Sequence, residues 1–495
     1  MTMLTKSIVS VKNMWFRLDD RTKFIITLTG SLIILLIIAS TSWLIYDVGY
    51  FIKWDEVFRK KGLLYIYAYS SPCPEYKVAY PPMAVLLFIF FYELGLMFSD
   101  ASLVLLRLIV KIPLIISFIM IAYYLYRYYG WNTSKWFLVT IAAYGTVLSY
   151  QFDLVVALGL MASFILLYKK KSLFLSGMVF TFAILIKPLP AVLAPLYMYD
   201  SYKIKKIRGV AEFLLGCIAI GIPIVMPFLY FSPENFIAHV ITFHSNRIPQ
   251  ELSLYALPLY LAHYDYRVLP DFLKWIWVPV FVVVYLYVIN TLIRNKGVDE
   301  KCGSLAYATV LLITLALNKV GNNPYFVWVL PFLAINIGNI VTKLRAKIVY
   351  LMIPMVSMAF YGFLTFVTAG VVRGYIFLAE DLAWYDAYEL LVNSFKDAPF
   401  LDIRRLLDYL YANYYIVFYV LYKYMWLSMI ILSLLYVSML LYLSYEFMRE
   451  YKEMCCTGKS LFRELIDLAR LLKNSVLKAI TTLRLALKNF FERFP

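Results

Sequence analysis

Residues 83–98 read MAVLLFIFFYELGLMF and residues 101–126 read ASLVLLRLIVKIPLIISFIMIAYYLY. Both are apolar runs of helix length, and whether one or both cross a membrane decides the architecture of the chain. Upstream lies the uncharged run Phe24 to Ile45, about 33 Å long as a helix and so enough for the hydrocarbon core. Lys6, Lys12, Arg17, Arg21 and Lys23 precede it. Basic residues concentrate on cytoplasmic loops, which places the N-terminus inside and Tyr46 outside. If 83–98 and 101–126 both crossed, Arg127, Lys135, Lys169-Lys170-Lys171 and the run Lys203, Lys205, Lys206, Arg208 would face outward. If 83–98 instead lies at the external interface, all of these groups return to the cytoplasm. We adopt the second reading, in which 47–100 is one long external loop carrying juxtamembrane helices.

Further apolar runs predict spans near 136–150, 153–168, 172–186, 189–200, 209–231, 273–293, 303–318, 325–340, 348–369 and 414–446. The expected fold is all-α: a polytopic bundle of about twelve transmembrane helices with both termini cytoplasmic. Arg294/Lys296 and Lys343/Arg345/Lys347 also fall inside, and large external segments remain at about 232–272 and 370–412. Several helices in the 136–200 block have only ~15 residues, about 23 Å. Such short helices end below the membrane surface or thin the bilayer, so residues at their ends can line a recess. The tail from Ser460 to Phe491 reads as a cytoplasmic amphipathic helix. Leu461, Leu465, Leu468, Leu472 and Val476 form its stripe, with Arg463, Arg470, Lys473, Lys478, Arg484 and Lys488 around it. That pattern suits membrane lipids of the anionic inner leaflet; a coiled partner interface is the alternative. The chain divides into 1–340, the module with the candidate site; 341–450, the remaining helices; and 451–495, the basic tail.

Composition agrees. Of 495 residues, 63% are apolar and 16% charged, against roughly 45–50% apolar in soluble domains; mean hydropathy is +0.75. A soluble enzyme, a disordered chain and a disulfide scaffold are excluded. The net charge of +17 comes from 47 Lys+Arg against 30 Asp+Glu, and the basic groups sit in loops between apolar segments, so no nucleic-acid partner is expected. Cys73, Cys217, Cys302, Cys455 and Cys456 form no even extracellular framework.

Ionisable groups at membrane depth are costly and usually functional. Asp47, in Tyr46-Asp47-Val48-Gly49-Tyr50, follows the first span; it is either a solvated helix end or a general base where an apolar wall meets a polar recess. Glu75-Tyr76-Lys77-Val78-Ala79-Tyr80-Pro81-Pro82 closes the same loop, its prolines suppressing helix before the interfacial segment. Asp153, in Gln151-Phe152-Asp153, and Lys187, in Lys187-Pro188-Leu189-Pro190, sit at short-helix ends on one side. They either pair structurally or contact sugar hydroxyls and phosphate. Asn318-Lys319-Val320-Gly321-Asn322-Asn323-Pro324-Tyr325, with His244 and Arg247, supplies amides and cations. Arginine can grip two phosphate oxygens, whereas lysine acts as a point charge. Thr457-Gly458-Lys459-Ser460 ends like a phosphate loop, but Glu453 replaces its first glycine and no strand precedes it. His239, His244 and His263 share no helix face, and no Cys/His pattern marks a metal site.

In order, these pieces resemble the GT-C superfamily of membrane glycosyltransferases. They look most like the polyprenyl-phosphate-mannose-dependent mannosyltransferases related to GPI mannosyltransferase I and the mycobacterial phosphoinositide mannosyltransferases. The resemblance rests on Asp47-Val48-Gly49-Tyr50; Gly62, Tyr65 and Tyr80-Pro81-Pro82; Asp153 before a span; Ser176-Gly177 leading to Ile186-Lys187-Pro188; and Asn323-Pro324-Tyr325-Phe326-Val327-Trp328-Val329-Leu330-Pro331. It covers roughly 24–340. It implies a large first external loop with the catalytic Asp, a polyprenyl-phosphate-sugar donor, a lipid-linked or glycolipid acceptor, and inversion at the sugar. On these positions Asp47 would be the base; Lys187, Arg247 and Lys319 would stabilise the leaving phosphate; Asp153 would be the second-loop carboxylate. Tyr50, Tyr80, His244, Asn323 and Tyr325 complete the implied substrate-binding set. The GPI enzymes carry an Asp-x-Asp pattern where this chain has Gly49, which argues against a divalent metal there; no metal or cofactor is expected. The implied sugar is a hexose, mannose, transferred at the external face of the cell membrane.

Two other readings compete. A transporter or lipid flippase would show repeats and Gly/Pro-broken helices near mid-membrane, but no two-half symmetry is visible and glycine numbers 19 of 495, below the ~7% norm. A ligase transferring preassembled glycans would share the scaffold.

Overall fold

The computed structural model describes residues 15, 17–43, 45–68, 78–98, 102–263, 269–294, 299–371, 375–378, 383–396 and 402–455. The expected tail helix at 460–491, together with Glu75-Tyr76-Lys77, Cys73 and Cys456, lies outside the described residues.

The protein is a multi-pass, helical membrane protein. Seven stretches among the described residues are long and apolar enough to cross a bilayer, and four shorter apolar helices accompany them. Helix α1 (Asp20–Thr41) is capped by Asp19, whose carboxylate accepts from Thr22 N at 2.7 Å. It leaves Ile25, Ile33, Ile34 and Ile37 exposed, as expected of a helix whose neighbour is lipid. α2 (Ile45–Lys61) then carries Asp47 in its first turn. α3 (Pro82–Leu96) starts after Pro81, whose extended backbone precedes the helix. At 15 residues it is about 22 Å long.

The structure departs from the expected spans in three places. The run 101–126 is broken into α4 (Leu103–Val110) and α5 (Ile112–Tyr129), with the break at Lys111; Pro113 in the first turn cannot donate back to the preceding helix. The span at 136–150 is likewise two pieces, α6 (Trp131–Leu138) and α7 (Ile141–Ser149). α8 (Asp153–Tyr168) and α9 (Leu173–Ile184) match the expected short spans. The spans at 189–200 and 209–231 lie, as expected, on the two arms of α10 (Ala194–Phe231), which reverses direction between them at Lys205 (φ −133°) and Lys206 (φ 54°). α11 (Trp277–Arg294), α12 (Glu300–Leu317), α13 (Leu330–Asn339) and α14 (Leu344–Gly362) follow, then α15 (Ala387–Ser394). The last span begins at Met425 rather than 414, because 403–423 forms its own helix α16 (Ile403–Lys423) ahead of α17 (Met425–Cys455).

Close approach of small residues holds the helices together, as is usual where lipid removes the hydrophobic drive. A Cβ on Gly177 of α9 would lie 2.0 Å from the Phe213 carbonyl oxygen, and one on Gly216 of α10 would lie 2.0 Å from that of Phe174. α12 is buried from Cys302 to Leu317 and, with the nearly fully buried α8, forms the central pillar. Two cysteines pair: Cys302 at the start of α12 is disulfide-bonded to Cys455 at the end of α17, with Cα atoms 6.3 Å apart. The helices pack so that these ends meet, which spacing alone does not reveal. Two short strands, β1 (Gln250–Glu251) and β2 (Val320–Gly321), pair in parallel. A hairpin of β3 (Tyr375–Leu378) and β4 (Ala383–Asp386) lies within the 370–412 segment.

Candidate active site

α8 runs antiparallel to both α9 and α12, so the start of α8, the end of α9 and the end of α12 meet at one end of the bundle. At that end lie Asp153, Lys187 and Lys319. Asp153 and Lys187 are both buried and form an ion pair at 2.7 Å. The Lys187 ammonium also faces three rings: Tyr325 at 5.1 Å, Tyr80 at 5.8 Å and Trp328 at 5.9 Å. Tyr325 and Trp328 stack at 4.4 Å, held by the 3₁₀ turn Asn323–Trp328.

Asp47 lies close enough to the cluster to act on Tyr80. Gln151 Nε2 donates to Asp47 Oδ2 at 2.5 Å. The amide is delivered by Tyr150, whose left-handed backbone (φ 57°) ends α7 and turns the chain towards Asp47. Beneath lies a wall of aromatic rings. Phe51 sits 5.5 Å from both Tyr80 and Phe152, and Trp54 is 4.4 Å from Phe51.

Tyr80 is fixed by its backbone neighbours. Tyr67 Oη donates to the Tyr80 carbonyl at 2.7 Å, His244 Nε2 donates to that of Ala79 at 2.7 Å, and Met83 N donates to that of Leu185 at 3.1 Å. Enclosure pushes the Tyr80 hydroxyl well above its ordinary pKa. The charges of Asp47 and Asp153 add to this, and Arg247 opposes it. Asp47, Asp153 and Arg247 thus all act electrostatically on Tyr80.

The remaining candidates border the cluster. Arg247 packs its guanidinium over Phe243 at 5.7 Å. Lys319 is buried; it donates to the Ser245 carbonyl at 2.6 Å and lies 5.7 Å from Trp275 and 5.9 Å from Trp277. Asn323 N donates to Tyr361 Oη at 3.3 Å, and Tyr361 in turn donates to Glu251. The β1–β2 pairing brings these segments together, and Gly321 is required there because a Cβ would meet the Leu252 carbonyl carbon at 2.3 Å. Tyr50 is half-buried beside the aromatic core. Among the described residues no group of three His, Cys, Asp or Glu side chains is placed to hold a metal ion.

Sequence reasoning misses several residues at this end. Gln151 stands two positions before Asp153, but nothing in its spacing shows that it faces Asp47. Arg107 and Lys111 lie one turn apart in an apolar run, a signal that does point to them. Both are buried. Lys111 Nζ donates to the Ser42 carbonyl and to that of Leu148, the latter at 3.4 Å, and Ser42 Oγ also reaches Leu148 O at 3.2 Å. Arg107 lies over Trp43 at 5.3 Å. Lys111 thus fastens the chain just before Asp47 to the chain just before Gln151.

The model of Glycosyltransferase family 87 matches residues 79–318, just under half of the chain. That range contains Tyr80, Asp153, Lys187, His244 and Arg247; Asp47, Tyr50, Lys319, Asn323 and Tyr325 lie beyond it. No curated protein matches the chain. Among solved structures, the chain is similar to the crystal structure of ArnT from Cupriavidus metallidurans bound to undecaprenyl phosphate. The identity is 13%, the TM-score 0.47, and the match covers 88% of this chain and 78% of that one.

Proposed function

We propose that this chain is a membrane glycosyltransferase of the GT-C type that moves a hexose from a polyprenyl-phosphate donor to a lipid-linked or glycolipid acceptor, with Asp47 as general base. The observation that carries this reading is the placement of Asp47, held by Gln151, beside the group of Tyr80, Asp153, Lys187 and Arg247. In this mechanism an acceptor hydroxyl gives its proton to Asp47 while its oxygen attacks the sugar C1. The bond from C1 to the phosphate oxygen breaks on the opposite face, and its electron pair leaves with the polyprenyl phosphate. The anomeric centre inverts. The leaving phosphate is already ionised, so no general acid is needed; cations stabilise its charge.

The three candidate cations are not equivalent. Lys187 is neutralised by Asp153 at 2.7 Å, so it tunes and orders the recess more than it attracts an anion. Arg247, with its two-pronged fork, is the first choice for the phosphate, and Lys319 stands behind it. Mannose is the sugar implied by the sequence resemblance, and the proposed orientation puts this end of the bundle outside with both termini cytoplasmic. Purified protein incubated with radiolabelled polyprenyl-phosphate mannose or glucose and a panel of acceptors tests the reading. Asp47→Asn should fold and bind donor while transfer falls by roughly 10²–10⁴-fold. Wild-type turnover in that variant would remove Asp47 from the mechanism.

A further inference from the structure

At the other end of the bundle lies a recess of about 430 Å³ lined by Tyr168, Lys171, Lys203, Ile204, Asp299 and Glu300. It is remote from the site above. Asp153 and Tyr168 are the two ends of α8, and Lys319 and Glu300 bracket α12, so roughly 22–27 Å of helix separates the two places.

The carboxylates in the recess already have partners. Glu300 is paired with Lys169 at 2.5 Å and accepts from Tyr129 Oη. Asp299 caps α12, accepting from Lys301 N at 3.4 Å. Lys171 and Lys203 are exposed and make no ion pair among the described residues; Lys203 rests only on the Tyr199 ring, at 5.3 Å. The balance of uncommitted charge is therefore positive. The walls are set by the core. Tyr168 Oη donates to buried Asp200 at 2.5 Å, which also accepts from Tyr307 at 3.0 Å. Gly303 lies so close beneath Tyr168 that a Cβ would sit 2.4 Å from its hydroxyl. Four residues past Lys203, beyond the reversal of α10, Ile207 is 74% exposed.

We propose that this recess binds the phosphate of an anionic phospholipid headgroup, with Lys171 and Lys203 as its two cations and Ile207 against the acyl chain. Exposed apolar surface adjoining the cations favours a lipid over a free ion, since an inorganic anion gains nothing from it. The site is independent of the transfer chemistry proposed above.

Native mass spectrometry of the full chain tests the proposal, with phosphatidylglycerol, phosphatidylcholine or inorganic phosphate added to the detergent. Phosphatidylglycerol should bind the wild type and Lys60→Gln/Lys61→Gln equally. Its apparent affinity should fall at least tenfold in Lys171→Gln/Lys203→Gln and be kept in Lys171→Arg/Lys203→Arg, which also reports that the surface tolerates substitution. Undiminished binding to the glutamine variant overturns the proposal. Equal occupancy by phosphatidylcholine overturns the anionic selectivity, and displacement of the lipid by millimolar inorganic phosphate reassigns the recess to the free ion.

Discussion

The Asp153–Lys187 pair lends itself to a double-mutant cycle, because both partners are buried and the pair sits among the candidate site residues. At 2.7 Å, two unit charges attract by about 6 kcal/mol at an effective dielectric of 20. Desolvation of two ions offsets much of this, so the net worth of the pair is small. Removing one partner is different, because it strands a buried charge and costs about 3–5 kcal/mol. Lys187→Met should reach the upper part of that range, since the contacts with three rings are lost as well. Asp153→Asn should fall in the lower part. The double variant, with no ion left to solvate, should be destabilised by far less than the sum, giving a coupling energy of about 3 kcal/mol. Reversible unfolding in mixed micelles, followed by tryptophan fluorescence, measures all four corners. Additive losses would refute the reasoning. Transfer by the double variant is a second readout: recovery alongside stability makes the pair architectural, whereas a stable, inactive double variant assigns Lys187 or Asp153 to the substrate.

Two further outcomes follow from other parts of the structure. Lys111→Met unfastens the chain before Asp47 from that before Gln151, so kcat should fall about tenfold or more, as misplacement of a catalytic group does. KM should stay near wild type and Lys111→Arg should restore most of the rate; a change in KM alone would contradict a positioning role. On α2, burial next to Glu93 raises Asp55 to about 7, against the pull of Arg59 at 2.9 Å. The folded state therefore holds this proton more tightly than the unfolded chain. The associated stability is present in acid and is lost as pH rises through about 7, by at most about 1.4 kcal/mol per unit. Unfolding midpoints measured from pH 5 to 8.5 should decline with pH in the wild type and flatten in Asp55→Asn; identical slopes would exclude Asp55 as the source.

Much of the arrangement is legible in the chain because membranes constrain sequence on a coarse scale. The Phe24 run, the basic loops and the short apolar segments each report on about 20 residues at once, and together they put Asp47, Asp153, Lys187 and Lys319 at one end. The breaks at Lys111 and between 138 and 141 escape because a window average hides a local interruption. The shift of the last span to Met425 has the same origin. Gln151 on Asp47, Tyr361 on Glu251 and Cys302 with Cys455 escape for a different reason. Each joins residues more than a hundred positions apart, and no periodicity encodes such a meeting.

The Cys302–Cys455 bond turns everything between its two ends into a covalent ring. Closing a loop of this length restricts the unfolded chain by about 5 kcal/mol in the polymer view. A protease that nicks any turn within the ring therefore leaves both pieces tethered through sulfur, and the cleaved molecule migrates as one band until a reductant separates it into two.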